Sequence, residues 1–354
     1  MRRRLELITR LAETWVRRPS SPTRVVFDLT RRCNLRCEMC RTWERERSRE
    51  LSAAEIGSVI AQLPRLTWLD LTGGEPFVRR DIDDVLEAIV ANARALTMLH
   101  FQTNGWHTRR IEASTRRLRR LAPNVELIVT VSIDGTPPLH DRIRGREGSC
   151  KRAVETARVL SSIADVHVGT TVSSSNAYAL EELHAWLRAE LPAFHERRWH
   201  LNWLQRSQHF FGNAGVPTPS AVAPDDAIRD HLRRRGLPRS LVELMESVYL
   251  VNLDAHRRGE PVGVTCQSLR STAFVSPEGD VYPCHVYDRP LGNVRELGFA
   301  AIWHSVATHA ARRDIEALAC GGCFSACEAY PALAGSPLRT AAVTLPRIAR
   351  MVAR

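Results

Sequence analysis

Three cysteines near the start of the chain have the spacing of metal ligands. Cys33, Cys37 and Cys40 form a C-x3-C-x2-C pattern directly after a β-rich segment. Three thiolates can hold three irons of a four-iron cluster, which leaves the fourth iron open to a small molecule. A structural zinc site would need a fourth donor nearby, and the next cysteine or histidine is His100. The spacing therefore predicts an open, catalytic metal site.

A second group of cysteines lies toward the C-terminus: Cys266, Cys284, Cys320, Cys323 and Cys327. The segment 272–283, with Pro277-Glu-Gly279 at its centre, predicts a β-hairpin. This hairpin would bring the first two of these cysteines together, and the later C-x2-C could complete four ligands. Zinc and an iron–sulfur cluster both accept four thiolates, so the residues alone leave the metal open. The ninth cysteine, Cys150, is expected to be a small buried apolar residue.

The elements that must position these cysteines alternate between strand and helix. Helices are predicted over 53–63, where Ser52 to Glu55 form a capping box, and over 82–93, 109–121, from 151, and 179–191. Such alternation indicates parallel strands, whose carboxyl ends carry the chemistry in barrels of this kind. We therefore expect an α/β fold, a partial (β/α)6 TIM-type barrel followed by a small cysteine-rich domain of a β-hairpin plus a helix. The six predicted strands are 25–30, 68–73, 99–104, 126–133, 166–172 and 198–204.

Short polar and glycine-rich motifs follow the predicted strands in a fixed order. Gly73-Gly74-Glu75-Pro76 follows the second strand, Thr103-Asn104-Gly105 the third and Ser132-Ile-Asp134-Gly135 the fourth, and His140–Gly145 comes next. Together with Cys33-Asn-Leu-Arg-Cys37-Glu-Met-Cys40, these motifs resemble the radical S-adenosylmethionine (radical SAM) enzymes. The resemblance spans about residues 25–335.

The resemblance implies a catalytic [4Fe-4S] cluster held by the three N-terminal cysteines, with S-adenosylmethionine (AdoMet) chelated by its open iron. Reductive cleavage of AdoMet then gives a 5′-deoxyadenosyl radical that abstracts hydrogen from a substrate carbon. The backbone of Gly73, Gly74, Glu75 and Pro76 is expected to bind the AdoMet amino group. The side chains expected to approach AdoMet or substrate are those of Asn104, Ser132, Asp134 and Arg144.

The second cysteine group resembles the twitch domain, a shortened relative of the SPASM domain that holds one auxiliary [4Fe-4S] cluster. The shared pattern is C-x12-G-x4-C followed by C-x2-C. The resemblance implies Cys266, Cys284, Cys320 and Cys323 as ligands. Cys327 has two interpretations, a ligand in place of Cys323 or a buried thiol.

Five segments are expected along the chain. They are a basic amphipathic helix (1–24), the radical SAM partial barrel (25–204), a helical linker or substrate region (205–261), the twitch-like domain (262–337) and a basic C-terminal tail (338–354).

Composition limits the remaining function classes. The net charge is +11 and hydrophobic residues make up 44% of the chain. No run of 18 apolar residues exists, and Glu6, Arg10 and Glu13 interrupt any signal-peptide core, so we expect a cytoplasmic protein. The basic ends raise contact with a membrane surface as an alternative. Basic residues are dispersed, which disfavours a nucleic-acid-binding protein or redox sensor.

The first expected substrate is a carbohydrate or natural-product intermediate, converted by dehydrogenation, epimerisation or related radical chemistry. A ribosomal peptide and a lipid-linked substrate are the alternatives. A flavodoxin or ferredoxin is expected as the electron donor, and no nucleic acid as a partner. Phe210 and Phe211 are candidates for the substrate mouth, whereas Trp199 and Trp203 suit core packing as well. No catalytic acid, base or radical-quenching residue is identified.

Replacing Cys33, Cys37 and Cys40 together by alanine should lower the iron content from about eight to about four atoms per chain, because only the auxiliary cluster remains. Iron and sulfide counted after anaerobic reconstitution test this. A variant that holds zinc and no iron would instead show that the C-terminal cysteines form a structural zinc site.

Overall fold

A computed structural model describes residues 18–46, 48–215, 227–318 and 322–352. Within these residues nine strands form one sheet, in the order β6-β5-β4-β3-β2-β1-β7-β8-β9. The strands are β1 (Arg24–Asp28), β2 (Trp68–Thr72), β3 (Met98–Thr103), β4 (Glu126–Ser132), β5 (Asp165–Val172), β6 (Trp199–Trp203), β7 (Thr272–Val275), β8 (Asp280–Tyr282) and β9 (Gly292–Asn293).

The first six strands lie side by side in chain order, and each pairs in parallel with the next. All six were predicted, within a residue or two at most ends. β6 stands at one edge of the sheet, whereas β1 pairs with β7 on its outer side. The barrel is therefore partial and open, as the sequence predicts.

Helices connect the strands and extend the C-terminal part. The five predicted between the strands are confirmed, and both hydrogen bonds of the capping box between Ser52 and Glu55 are present. The described helices are α1 (Ala53–Ala61), α2 (Ile82–Asn92), α3 (Thr108–Leu121), α4 (Pro137–Arg144), α5 (Ser149–Leu160), α6 (Leu180–Glu190), α7 (Ala227–Arg235), α8 (Leu241–Arg257), α9 (Val294–Leu297), α10 (Phe299–Trp303), α11 (Val306–Glu316), α12 (Ala326–Ala334) and α13 (Pro337–Val352).

Some helices were not predicted. α4 begins with two prolines, which fit a first helical turn, and ends at Gly145 in the left-handed conformation. Its signals were present in the sequence. The segment predicted as a basic tail forms α13, and its Arg347 is buried against the backbone oxygen of Pro261 and the side chain of Asn252.

The cysteine-rich segment shares the barrel's sheet. Its predicted hairpin is confirmed, with β7 and β8 antiparallel and Gly279 at φ +95° in the turn. β7 also pairs in parallel with β1, from Arg24 opposite Thr272 to Phe27 opposite Val275. Every residue of β1 and β7 is buried. The hairpin is thus fixed to the barrel by a fully buried strand pair.

The burial of individual side chains tests the prediction for the ninth cysteine. Cys150 is fully buried in the main core, as predicted. Leu338 and Leu345 on α13 are exposed. No helix among the described residues is both long and apolar enough to cross a bilayer. The predicted helix at 1–24 falls largely outside the described residues, which begin at residue 18.

Arg295 in α9 links the C-terminal segment to the barrel. It pairs with Glu55 at 2.7 Å and donates to the backbone oxygens of Arg49, Glu50 and Glu278. The Arg295 hydrogen bond is the largest cause that lowers the pKa of Glu55, to about 2. Each of these bonds contributes modestly, and together they join α1, the loop before it and the hairpin.

Arg295→Met should therefore lower the melting temperature by a few degrees, since about 1–2 kcal/mol of hydrogen bonding is lost. Arg313→Met removes an exposed arginine from α11. It should change the free energy of unfolding by no more than about half a kcal/mol, so the melting temperature should stay almost the same. Scanning fluorimetry of the reconstituted proteins measures both. Equal melting temperatures for the two variants would contradict this role for Arg295.

Candidate active site

A cavity of about 150 Å³ opens at the carboxyl ends of the parallel strands. One side chain from each of five consecutive strands points into it: Thr72, Gln102, Ser132, Thr171 and Asn202. In the register Thr171 lies opposite Asn202, whereas Gln102 pairs with Thr130 and Ser132 pairs with Gly169, so the lining position moves two residues further along the strand from β3 to β4 and again from β4 to β5. All three N-terminal cysteines line the opposite wall, so the motifs predicted to act together meet in one space.

The loop that carries Cys33, Cys37 and Cys40, here called the cysteine loop, is held by backbone hydrogen bonds to helix α4. The N–H groups of Arg36 and Glu38 donate to the carbonyls of Arg144 and Ile143, at 3.0 and 2.9 Å. A Cβ on Gly145 would overlap the carbonyl of Arg36. Helix α4 therefore packs against the loop at a distance that only glycine permits.

The Gly73–Pro76 segment, here called the glycine strap, lies against the start of the same loop. The N–H groups of Gly74 and Glu75 donate to the carbonyls of Thr30 and Arg32, at 2.7 and 2.9 Å. A Cβ on Gly74 would overlap the Arg32 carbonyl, and Gly73 has φ +144°. The two glycines thus bring the strap against the cysteine loop.

Glu75 joins the strap to the end of β3. Its buried carboxylate accepts from the hydroxyl of Thr103 at 2.8 Å and the backbone N–H of Asn104 at 2.7 Å. Burial raises the pKa of Glu75 to about 7. Asn104 in turn donates to Asn34 inside the cysteine loop, at 2.9 Å. Pro76 is buried in the short turn that follows and does not line the cavity.

Arg144 places a positive charge beside the cysteine loop. Its Nε is 2.6 Å from Asp134 Oδ2, and its Nη1 is 3.7 Å from the sulfur of Cys37. Burial opposes the charge, but Asp134 and Cys37 together outweigh it and raise the pKa of Arg144. Asp134 is fully buried behind Arg144, so it orients the guanidinium without reaching the cavity.

The donors around the cavity fit an iron–sulfur cluster. Burial raises the pKa of Cys33 to about 12 and of Cys37 to about 11, so metal binding must supply the energy of deprotonation. Among the described residues, no three histidine, cysteine, aspartate or glutamate side chains form a site for a single metal ion. In a four-iron cluster each thiolate binds its own iron, which suits three cysteines spread around one cavity.

The second cysteine group is partly described. Burial raises the pKa of Cys284 well above its usual value, and the neighbouring Cys323 and Cys266 raise it further. Cys323 and Cys266 therefore both lie near Cys284. Cys320 lies outside the described residues. Cys327, at the start of α12, lines the catalytic cavity, and its carbonyl accepts from Arg24.

A buried polar layer lies one level below the cavity. Asp70 on β2 bonds His100 on β3 at 2.8 Å, and His100 bonds Thr130 on β4 at 2.9 Å. On β6, His200 bonds Glu246 of α8 at 2.9 Å. Tyr330 of α12 donates to the same carboxylate. His200 is thus a hydrogen-bonded polar residue beneath the site.

The cavity is lined by some aromatic residues that the sequence predicts and by others that it does not. Phe210 and Phe211 line the cavity as predicted, while Trp199 is buried in the core and Trp203 lies outside the lining. Thr42 and Trp43, which follow Cys40 in the chain, also line the cavity. His285 and Ser325 approach from the C-terminal segment and carried no sequence signal for this position.

Comparison with known families agrees with this geometry. A model of the radical SAM superfamily matches residues 27–173, and a model of SPASM, an iron-sulfur cluster-binding domain, matches residues 266–324. Together the two matches cover more than half of the chain.

The relatives with known names include a maturase, a bacteriocin biosynthesis protein and a heme synthase. Mycofactocin maturase MftC of Mycolicibacterium smegmatis is 27% identical, over 90% of this chain and 80% of its own length. The subtilosin biosynthesis protein AlbA of Bacillus subtilis is 24% identical, and the alignment spans 81% of this chain but 61% of AlbA. An AdoMet-dependent heme synthase of Methanosarcina barkeri is 28% identical, over 92% of this chain and 94% of its own length.

A solved structure shares the fold. SuiB of Streptococcus suis, bound to its precursor peptide SuiA, superposes with a TM-score of 0.59 at 16% identity, over 88% of this chain and 70% of SuiB. The chain thus belongs to the radical SAM enzymes with a SPASM-like C-terminal domain. Enzymes of this class use AdoMet and a catalytic [4Fe-4S] cluster, and the C-terminal domain holds auxiliary iron–sulfur chemistry.

Glu75→Gln should slow AdoMet cleavage about tenfold. The amide keeps one acceptor oxygen where the carboxylate has two, so Thr103 or Asn104 loses a buried partner and the strap shifts. Production of 5′-deoxyadenosine under anaerobic reduction measures the rate. Glu38→Gln, an exposed change in the cysteine loop, is the matched control and should be neutral. Equal rates for both variants would show that the carboxylate does not position the strap.

Proposed function

We propose that this enzyme abstracts a hydrogen atom from a carbon of a residue in a ribosomally made peptide, with an auxiliary cluster assisting. The observation that carries the proposal is that neutral groups make up most of the cavity wall. The amides of Gln102, Asn202 and Gln205 and the hydroxyls of Ser132 and Thr171 offer donors and acceptors suited to peptide groups.

The charges around the cavity argue against an anionic substrate. Apart from the titratable His285 and the cysteines, only Glu75 and Arg144 among the described lining residues carry a charge. Arg144 is already engaged by Asp134. A phosphorylated or lipid-phosphate substrate would lack an unengaged cation there, although a neutral carbohydrate could still use the amides and hydroxyls.

The relatives favour the peptide over the carbohydrate that we first expect from the sequence. AlbA takes part in bacteriocin biosynthesis, MftC is a maturase, and SuiB binds a precursor peptide. The heme synthase is a relative whose product is not a peptide, so a tetrapyrrole is the competing substrate.

The proposed roles follow from the geometry. Cys33, Cys37 and Cys40 hold the catalytic cluster. When bound, the cluster and AdoMet supply the radical that takes the substrate hydrogen. Gly73, Gly74 and Glu75 of the glycine strap bind AdoMet beside the cysteine loop together with Asn104. Arg144 balances negative charge there. Phe210 and Phe211 shield the cavity from water.

The auxiliary ligands remain Cys266, Cys284, Cys320 and Cys323 in this proposal. The proximity of Cys266 and Cys323 to Cys284 supports this set. Cys327 is half-buried in the wall of the catalytic cavity, and this proposal leaves it outside the ligand set.

Deuterium transfer distinguishes the substrate classes. The reconstituted enzyme, reduced anaerobically with AdoMet, is offered a pool of perdeuterated peptides, perdeuterated sugars or a deuterated tetrapyrrole. We expect deuterium in 5′-deoxyadenosine from the peptide pool alone, measured by mass spectrometry. Transfer from the sugars or the tetrapyrrole, with none from peptides, would refute the peptide proposal.

Asn202→Ala sharpens this experiment. Loss of one amide from the wall should raise the KM for peptide about fivefold and leave substrate-free AdoMet cleavage unchanged. Asn92→Ala, at the end of α2 and away from the cavity lining, is the control.

A further inference from the structure

A second cavity, of about 910 Å³, lies at the opposite end of the sheet from the active site. It is formed by the end of α6, the turn before β6, the end of α7 and the loop that leads to α8. We call it the arginine crevice. Its lining includes five arginines and one glutamate: Arg188, Arg197, Arg234, Arg235, Arg239 and Glu196.

The acidic residues within reach hold the arginines without neutralising them all. Glu196 pairs with Arg188 at 2.6 Å, Glu243 pairs with Arg197 at 3.2 Å, and Glu181 pairs with Arg234. Among the described residues, Arg235 and Arg239 have no carboxylate in an ion pair with them. Burial opposes ionisation of Glu196, but hydrogen bonds from its own backbone, His184 and Arg188 lower its pKa to about 2. The carboxylates therefore fix the arginine forks in place and leave an excess of positive charge.

Arg235 adds a buried cation at the back of the crevice. Its side chain is almost entirely inaccessible, and Nη1 donates to the carbonyls of Glu196 and Trp199, at 2.8 and 3.1 Å. Its Nε and Nη2 have no hydrogen-bond partner among the described residues. Burial lowers the pKa of Arg235, although the nearby buried carboxylate of Glu246 opposes the shift. The two unsatisfied nitrogens remain costly, and an anion bound nearby would offset part of that cost.

Exposed leucines continue from the crevice along the start of α8. Leu237 lines the crevice and is 87% exposed. Leu241 and Leu244 are 46% and 45% exposed and share one face of α8. Glu243, between them, reaches back to Arg197 in the crevice. Positive charge and apolar surface are thus adjacent.

We propose that the arginine crevice binds an acidic, leucine-rich segment of a peptide, namely a part of the peptide substrate remote from the reacting residue. The carboxylates would pair with the arginines, and the apolar side chains would cover the exposed leucines. This inference rests on the proposed peptide substrate. Strand β6 separates the crevice from the cavity by roughly 20 Å, so about six or more extended residues must connect the two sites.

Direct binding tests the crevice without turnover. The reconstituted full-length protein is titrated against a fluorescein-labelled peptide of alternating glutamate and leucine, and anisotropy is measured. We expect binding that weakens at high ionic strength, and none of a lysine–leucine peptide. Arg188→Ala with Arg239→Ala should weaken binding about tenfold. Arg116→Ala with Arg120→Ala on α3 removes the same charge elsewhere and should have no effect.

The leucines are tested separately from the charge. Leu237→Asn with Leu244→Asn should weaken binding about fivefold. Leu297→Asn, at a leucine of α9 that is 57% exposed, should not. Equal binding by crevice and control variants, or no binding of the acidic peptide, would overturn the proposal. Tighter binding of pyrophosphate that displaces the peptide would assign a phosphate site and also overturn it.

Failure of the crevice proposal and failure of the proposed function give different results in these experiments. If the crevice binds the acidic peptide but deuterium transfers only from a tetrapyrrole, the peptide would be a partner rather than the substrate, and the assignment of the bound segment would fail. If peptides are substrates and the crevice variants keep the same KM and affinity, the proposed function stands and the crevice proposal falls.

Discussion

The burial of β1 between two parallel neighbours is the constraint on which the rest of the structure depends. β1 pairs with β2 on one side and with β7 on the other, and all its residues are buried. The cysteine loop leaves its carboxyl end, the glycine strap leaves β2, and the hairpin of the second cysteine group begins with β7. One strand therefore sets the positions of all three.

Side chains at the end of β1 reinforce this arrangement. Asp28 is fully buried and pairs with Arg31 at 2.7 Å, and Arg31 also reaches Glu278 in the hairpin turn at 3.2 Å. Burial raises the pKa of Asp28 to about 7 although Arg31 opposes the shift. A charge network in this position is sensitive to any movement of the hairpin relative to the barrel, because each partner is desolvated. This network joins the end of β1, from which the cysteine loop leaves, to the hairpin that begins the second cysteine group.

Much of the barrel could be predicted because its signals are local. The alternation of strands and helices, the capping box at Ser52 and the glycines of the strap each depend on neighbours in sequence. The pairing of β1 with β7 could not be predicted, since it joins residues almost 250 positions apart through strands that read as ordinary apolar runs. For the same reason the sequence could not predict that His285 and Ser325 line the cavity. Nor could it predict that His200 bonds Glu246 of α8.

The two ends of the sheet differ in the kind of recognition that they can provide. The catalytic cavity is lined mainly by neutral groups, and its charged groups are held by partners within the protein. Such a wall can orient a substrate by hydrogen bonds but has little charge with which to attract one from solution. The arginine crevice has the opposite character, with excess charge held in fixed geometry. Long-range attraction at one end and close orientation at the other suit a substrate long enough to reach both, which is a property of a chain molecule rather than of a compact one.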